Sequence, residues 1–317
     1  MSSQTSKPSP GPQRSVVDVA YLGPRGTFTE QAVRSLTGQG AVTESAVTVN
    51  GALAMVREGR AATAIVPFEN SVEGSVSVTL DELIHGEPLV IVAETHVSVR
   101  FAVLASATMD LDRIRRLATH PHAAAQTRAW VSTHLPDAEV LPETSTARAA
   151  ELVATGHYDG AIAAPLAAAQ FDLAVLADDI ADRSGAVTRF VQLALPGPPP
   201  VSTGADTTTL VAFLTHNHPG ALLELLEQFS ARGVDLNRLE SRPTGEALGQ
   251  YCFAIEANAH ISEPRMAEAL AGLHRSCAQV RYLGSYPRAD GLPYPVPGPA
   301  RAAAYDSART WVASLTT

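Results

Sequence analysis

Short runs of β-branched and other apolar residues alternate with helical patterns from the start of the chain. Val16–Leu22 has the composition of a buried strand, interrupted only by Asp18. A Gly-Pro-Arg-Gly turn follows at residues 23–26, and Thr27 and Glu30 then have the spacing of a capping box at a helix start. This order of strand, glycine turn and helix predicts that the chain opens with an α/β unit.

The same alternation continues to residue 195. Further strands and helices are predicted at Ala62–Val66 (strand), Pro88–Val99 (strand), Ala123–Thr133 (helix), Ala147–Thr155 (helix), Gly160–Ala163 (strand) and a strand ending at Leu195. Because strands are separated by helices, we expect residues 16–195 to form sheets covered on both faces.

A proline-rich segment, residues 196–206, divides the chain, and we place a linker there. Residues 207–286 then predict a strand, a helix, two strands, a helix and a strand. These elements are Thr208–Thr215, Ala221–Arg232, Val234–Arg242, Gln250–Ala257, Glu263–Cys277 and Val280–Gly284. The βαββαβ order is that of a ferredoxin-like domain. Residues 287–317 are predicted to be a C-terminal tail with a short helix near its end.

Composition narrows the class of protein. The 317 residues suffice for two domains, and 45% hydrophobic with 17% charged residues is typical of a globular chain. No apolar stretch is long enough for a transmembrane helix. The net charge of −9, without a basic block, argues against nucleic-acid and membrane partners. Two cysteines exclude a disulfide scaffold and a thiolate zinc site.

The N-terminus gives a prediction of location. Residues 1–15 are rich in serine, proline and glycine and have no apolar core. We therefore expect a disordered tail rather than a signal peptide, and a cytoplasmic protein.

Candidate chemistry is found where predicted elements meet. The sequence has no phosphate-binding loop, dinucleotide fingerprint, zinc-protease motif or nucleophile elbow, so we expect a reaction without metal or cofactor. Instead, five polar clusters recur: Gly23–Thr29, Pro67–Ser75, Thr119–His122, Glu143–Thr146 and Thr188–Phe190. Exposed N–H groups at helix starts attract anions, and an arginine beside a hydroxyl suits a carboxylate substrate. Ordinary helix capping explains several of these residues equally well.

Taken together, the clusters resemble the prephenate dehydratase family. The resemblance runs through Tyr-Leu-Gly-Pro-Arg-Gly-Thr-Phe-Thr (21–29), Val-Pro-Phe-Glu-Asn-Ser-Val-Glu-Gly-Ser-Val (66–76), His-Pro (120–121), Ser-Thr-Ala (145–147) and Thr-Arg-Phe (188–190). It continues through Pro-Gly-Ala-Leu (219–222) and Glu-Ser-Arg-Pro (240–243), and covers residues 16–286. Each motif alone is weak, whereas the combination is specific.

The resemblance implies a two-lobed catalytic domain similar to type II periplasmic-binding folds, with the substrate between the lobes. Prephenate would lose carbon dioxide and its ring hydroxyl to give phenylpyruvate, and aromatisation would drive the reaction with no cofactor. Thr188 would assist departure of the hydroxyl and Arg189 would hold a carboxylate, with Phe190 completing the catalytic motif. The residues implied to bind substrate are Thr27, Asn70, Ser71, Thr119, Gln126, Ser145 and Thr146.

For the C-terminal domain the resemblance implies an ACT domain that binds L-phenylalanine as a feedback inhibitor. Its implied effector residues, which would surround phenylalanine across a dimer interface, are Asn217, Gly220, Ala221, Leu222, Glu240, Ser241 and Arg242. ACT sheets pair side by side, which implies a homodimer or homotetramer. The alternatives are an arogenate dehydratase and a non-catalytic amino-acid sensor. The sequence also departs from the family pattern: Ala186 replaces a common asparagine, Phe68 an aliphatic residue and His122 a common glutamine.

Overall fold

The computed structural model describes residues 16–38, 40–245 and 250–316, so the tail predicted at 1–15 lies outside the described residues. Numbered in chain order, the elements of lobe 1 are β1 (Val17–Leu22), α1 (Phe28–Thr37), β2 (Thr43–Ala46), α2 (Val49–Arg57), β3 (Ala61–Asn70), β4 (Gly74–Ser75), α3 (Ser77–His85) and β5 (Val90–Ser98).

Lobe 2 follows, and its elements are β6 (Ala102–Ala105), β7 (Arg116–Thr119), α4 (Pro121–Gln126), α5 (Arg128–His134), β8 (Glu139–Pro142), α6 (Thr146–Ala154), β9 (Gly160–Ala163), α7 (Leu166–Phe171) and β10 (Ala174–Ala177). The chain then returns to lobe 1 as β11 (Val187–Ala194).

The C-terminal domain consists of β12 (Asp206–Phe213), α8 (Ala221–Ser230), β13 (Leu236–Pro243), β14 (Tyr251–Ala257), α9 (Pro264–Ser276) and β15 (Gln279–Pro287). The helix α10 (Ala302–Ser314) follows it.

Each lobe has its own sheet. In lobe 1 the order is β2-β1-β3-β11-β5, with β4 paired to β3, and in lobe 2 it is β10-β6-β9-β7-β8. β11 lies antiparallel between β3 and β5, while β1, β2 and β3 are mutually parallel. The chain therefore crosses between the lobes twice, after β5 and before β11. This confirms the predicted two-lobed α/β class.

Local signals account for the first helix. Thr27 caps α1 by accepting a hydrogen bond from the Glu30 N–H, and the helix buries Ala32 and Val33 against the sheet. Although burial by itself would raise the pKa of Glu30, hydrogen bonds from the Gly26 N–H and Arg34 lower it. The predicted capping box is thus present, with the glutamate reaching one residue further back than usual.

Two predicted elements differ from the structure. The strand expected at Ala62–Val66 extends to Asn70, because β11 pairs with it from Ala64 onward and holds Thr188 opposite Asn70. The single helix expected at Ala123–Thr133 is divided into α4 and α5 at Thr127, whose φ of −123° is not helical.

The C-terminal sheet has the order β13-β14-β12-β15, and all of its pairs are antiparallel. Its helices α8 and α9 pack on one face, around Leu225, Phe229 and Leu273. Together these confirm the ferredoxin-like βαββαβ order.

The other face of this sheet packs directly on lobe 1. Val211 and Leu283 share one apolar core with Ile91, Val191 and Leu193 of lobe 1. None of the helices in the described residues has the length and apolar character that a membrane crossing needs.

Candidate active site

A cleft of about 610 Å³ lies between the two lobes. The structure brings seven of the predicted site residues to its walls: Thr27, Asn70, Gln126, Ser145, Thr146, Thr188 and Phe190. Lobe 1 contributes Thr27, Asn70, Thr188 and Phe190, while lobe 2 contributes the rest. Clusters more than 100 residues apart in sequence therefore face one another.

Asn70 and Thr188 form the central pair of the cleft. The Asn70 Nδ2 donates to Thr188 Oγ1 at 2.9 Å. The Asn70 Oδ1 accepts from the backbone N–H groups of Val72 and Glu73 at 2.8 and 3.2 Å, which fixes the orientation of the amide. Because Thr188 Oγ1 already accepts this bond, its own proton is left free to be donated to another group.

Two helix N-termini point positive dipole ends at the cleft. Thr27 caps α1, and Ser145 caps α6 by accepting from the Arg148 N–H at 3.0 Å. Both capping residues line the cleft, together with Thr146 in the first turn of α6. Dipoles and N–H groups of this kind favour negatively charged ligands.

Arg189 does not reach the cleft. Side chains alternate along a strand, so Thr188 and Phe190 face the cleft while Arg189 points to the opposite face of the sheet. There it binds Glu94, Glu256 and Tyr286. Burial by itself would lower the pKa of Arg189, but these partners raise it well above its ordinary value. The expectation that Arg189 holds a substrate carboxylate does not fit this placement.

Two other predicted residues have structural partners outside the cleft. Thr119 is fully buried, and its hydroxyl donates to the Ile162 carbonyl at 2.7 Å. Ser71 Oγ accepts from the Val187 N–H at 2.9 Å and so ties the loop after β3 to the start of β11. Both side chains stabilise segments that carry cleft residues, and neither lines the cleft.

Five ionisable side chains that were not among the predicted site residues also line the cleft: Glu73, His120, His122, Arg148 and Glu151. His122 Nδ1 lies 2.9 Å from Glu73 Oε2 and thereby bridges the lobes. Burial and the neighbouring His122 lower the pKa of His120. Arg148 is the single arginine or lysine among the described residues that line the cleft, and it lies one helical turn after Ser145. That spacing was the signal that could have identified it.

The predicted effector residues are divided between two environments. Asn217 lines a cavity of about 560 Å³ with Phe213, Tyr251 and Phe253. Gly220, at a φ of 93°, precedes α8, where Ala221 is buried and Leu222 is exposed.

The Glu-Ser-Arg segment of β13 lies against lobe 1 instead. Glu240 binds Ser75 and Arg242 binds Asp81, while Ser241 is on the exposed face of the strand. Within one chain, Glu240 and Arg242 therefore do not line the cavity beside Asn217, and a shared site across a dimer interface stays a prediction. The described residues contain no cluster of three or more metal-ligating side chains.

The fold and the polar cleft define a class of two-lobed α/β proteins that take an anionic ligand between their lobes. A family model described as prephenate dehydratase matches residues 19–197. The chain belongs to the prephenate dehydratase family.

Individual relatives agree with this assignment. A protein of Mycobacterium tuberculosis named prephenate dehydratase is 45% identical over 312 residues, which cover 95% of this chain and 94% of the relative. One from Amycolatopsis methanolica, with the same name, is 46% identical over 300 residues, covering 94% and 97%. A solved prephenate dehydratase from Arthrobacter aurescens, in complex with L-Phe, has a TM-score of 0.89 and 48% identity, covering 95% of this chain and 99% of that one.

Proposed function

We propose that the protein converts prephenate to phenylpyruvate, carbon dioxide and water, with Thr188 as the hydrogen-bond donor to the departing hydroxyl. The observation that carries the proposal is the Asn70–Thr188 hydrogen bond at 2.9 Å in the cleft. Since the amide donates to Thr188 Oγ1, the threonine proton is available to the substrate. The helix N-termini at Thr27 and Ser145 and the Arg148 guanidinium suit a dianionic substrate.

The bond changes balance without a cofactor. The bond between the ring carbon and the carboxylate breaks, its electron pair enters the ring as carbon dioxide leaves, and the ring C–O bond breaks on the opposite side. The departing hydroxide takes up one proton to become water. Thr188 supplies this proton or the hydrogen bond that leads to it, and solvent restores it. The residues around the cleft bind and orient the substrate so that both bonds can break together.

The test is formation of phenylpyruvate from prephenate. Thr188→Val keeps the shape of the side chain and removes the hydroxyl, so we expect kcat to fall about 100-fold or more. Thr133→Val, at an exposed position on α5, is the matched control and should retain wild-type activity. Turnover of arogenate but not prephenate would point to arogenate dehydratase. No turnover of either substrate, with L-phenylalanine still binding, would favour the amino-acid sensor.

For the C-terminal domain we propose the ACT role of binding L-phenylalanine as an inhibitor. Support comes from the βαββαβ order, from the aromatic cavity beside Asn217 and from the relative solved with L-Phe. Calorimetric titration with L-phenylalanine tests it, and Asn217→Ala should weaken binding about tenfold.

We also propose a homodimer or homotetramer formed through the C-terminal domains, in a cytoplasmic protein. β13 is an edge strand of its sheet and exposes Leu239, and helix α8 exposes Leu222 and Leu223. An edge strand beside exposed apolar residues suits sheet pairing with a second copy. Light scattering in solution tests this state, and a monomer would contradict it.

A further inference from the structure

We propose that Arg189 is a positioning residue that links the sheet of the C-terminal domain to the Thr188 hydroxyl. A ligand bound to the C-terminal domain could then change turnover without touching the substrate. The proposal rests on the proposed function, because it concerns the same threonine. It replaces the substrate-binding role that the sequence suggested for Arg189.

The contacts of Arg189 join two parts of the molecule. Its Nε donates to Glu94 on β5 at 2.6 Å, its Nη1 to Glu256 on β14 at 2.7 Å and its Nη2 to Tyr286 on β15 at 2.9 Å. Two of these three acceptors belong to the C-terminal sheet. The side chains of Arg189, Glu94 and Glu256 are 12%, 6% and 4% exposed, so solvent screens the charges little.

The position of Arg189 in the chain makes this junction relevant to catalysis. Thr188 is its immediate neighbour on β11, and adjacent Cα atoms are held about 3.8 Å apart by the peptide bond. If Glu256 and Tyr286 move relative to lobe 1, Arg189 must follow or lose its charge-assisted hydrogen bonds. A shift of about 0.5 Å in β11 would take the 2.9 Å bond from Asn70 to Thr188 out of the normal range.

A second set of contacts reaches the other partner of that bond. Arg238 and Glu240 on β13 both bind Ser75, and β4, which contains Ser75, pairs with Asn70 at the end of β3. The Phe68 ring lies under both guanidinium groups, 5.2 Å from that of Arg189 and 4.8 Å from that of Arg238. The C-terminal sheet therefore holds the neighbours of both Asn70 and Thr188 from behind the cleft.

Substitutions in the C-terminal sheet separate positioning from substrate binding. Glu256→Gln keeps the shape and removes the charge. Tyr286→Phe removes the hydroxyl that accepts from Arg189 and that also contacts Thr209 Oγ1 at 2.7 Å. Tyr282→Phe makes the same change on the same strand, at a hydroxyl that is not one of the three acceptors of Arg189, and is the matched control. For each protein, kcat and KM for prephenate, the Kd for L-phenylalanine and the inhibition at saturating L-phenylalanine are measured.

We expect Glu256→Gln and Tyr286→Phe to lower kcat about tenfold with KM changed less than about twofold. L-phenylalanine should bind both variants with nearly the wild-type Kd and yet inhibit them less completely. The control should match the wild type in all four quantities. Arg189→Lys tests the alternative that Arg189 binds the substrate. In that case KM for prephenate would rise in Arg189→Lys, while Glu256→Gln would keep the wild-type kcat and KM. That result would overturn the proposal.

Amide hydrogen exchange tests the linkage without turnover. In the unliganded protein, Glu256→Gln should speed exchange at least about threefold in residues 70–75 and 187–190, and Tyr282→Phe should not. Changes confined to the C-terminal domain would contradict the linkage even if the enzyme is active. If exchange at the cleft is faster in Glu256→Gln but the wild type does not turn over prephenate, the linkage is supported and the proposed reaction is rejected. If Glu256→Gln does not fold, Tyr286→Phe decides both experiments.

Discussion

Replacing Asn70 with aspartate tests the origin of the reactivity of Thr188. The new carboxylate can still accept from the N–H groups of Val72 and Glu73, so the loop keeps its turn. It can no longer donate to Thr188. Instead, the threonine must donate to the carboxylate, and its proton is withdrawn from the substrate.

The expected loss follows from the role of one preorganised donor. Removal of such a donor costs about 3 kcal/mol of transition-state stabilisation, which corresponds to about 100-fold in kcat. The stability of the fold should change by less than about 1 kcal/mol, since the hydrogen bonds of the turn remain. Lowering the pH toward the ordinary carboxyl range of about 4 should recover part of kcat, because a protonated acid is again a donor.

The assay is phenylpyruvate formation by the wild type, Asn70→Asp, Thr188→Ala and the double variant. If Asn70 acts through Thr188, Asn70→Asp should cost less than about threefold in the Thr188→Ala background. An equal 100-fold loss in both backgrounds would show that Asn70 acts independently of Thr188. A kcat of Asn70→Asp within threefold of the wild type would refute the reasoning altogether.

Three further predictions concern other parts of the molecule. Arg148→Gln should raise KM for prephenate about threefold to fivefold without changing kcat, whereas Arg113→Gln, on the exposed surface, should change neither value in steady-state kinetics. His120 accepts the helix-capping bond from the His122 N–H, and its pKa in the folded protein is lowered. As the pH falls, the unfolded chain therefore takes up a proton at this histidine before the folded protein does. The stability of the fold should fall as the pH drops below about 6.5. His120→Asn keeps a cap and should flatten this loss in thermal melts between pH 7 and 5; equal losses in both proteins would exclude His120 as the cause. Gly284→Ala should lower the melting temperature by several degrees, because φ is +130° and the added methyl would meet backbone atoms of Ile91; an unchanged melting temperature would contradict that packing.

The parts of the fold that the sequence predicted are those with local signals. The capping residue Thr27 and the apolar spacing of Ala32 and Val33 were sufficient for α1, and the order of strands and helices after residue 206 was sufficient for the ferredoxin-like class. β8, by contrast, was not predicted: it is only four residues long, Glu139–Pro142, and largely exposed. Its identity as a strand depends on pairing with β7, which is a tertiary property.

The candidate site likewise combines features that the local sequence predicts with contacts that it does not. The strand period of two already implies that Thr188 and Arg189 cannot both face the cleft. On the far side of the sheet, Arg189 binds Glu256 and Tyr286, which are 67 and 97 residues away in sequence. No local pattern contains that information. Likewise, the partners of Glu240 and Arg242 are Ser75 and Asp81 of lobe 1, so family motifs identified these residues without revealing their contacts.

The core that the C-terminal sheet shares with lobe 1 also affects how the chain folds during its synthesis. Residues up to 194 complete both lobes, yet the face that carries Ile91, Val191 and Leu193 is covered only when β12, β14 and β15 have been made. Until then the nascent chain exposes an apolar surface of the kind that promotes aggregation. A fragment that ends before β12 would keep that surface permanently, so deleting the C-terminal domain would remove part of the core of lobe 1.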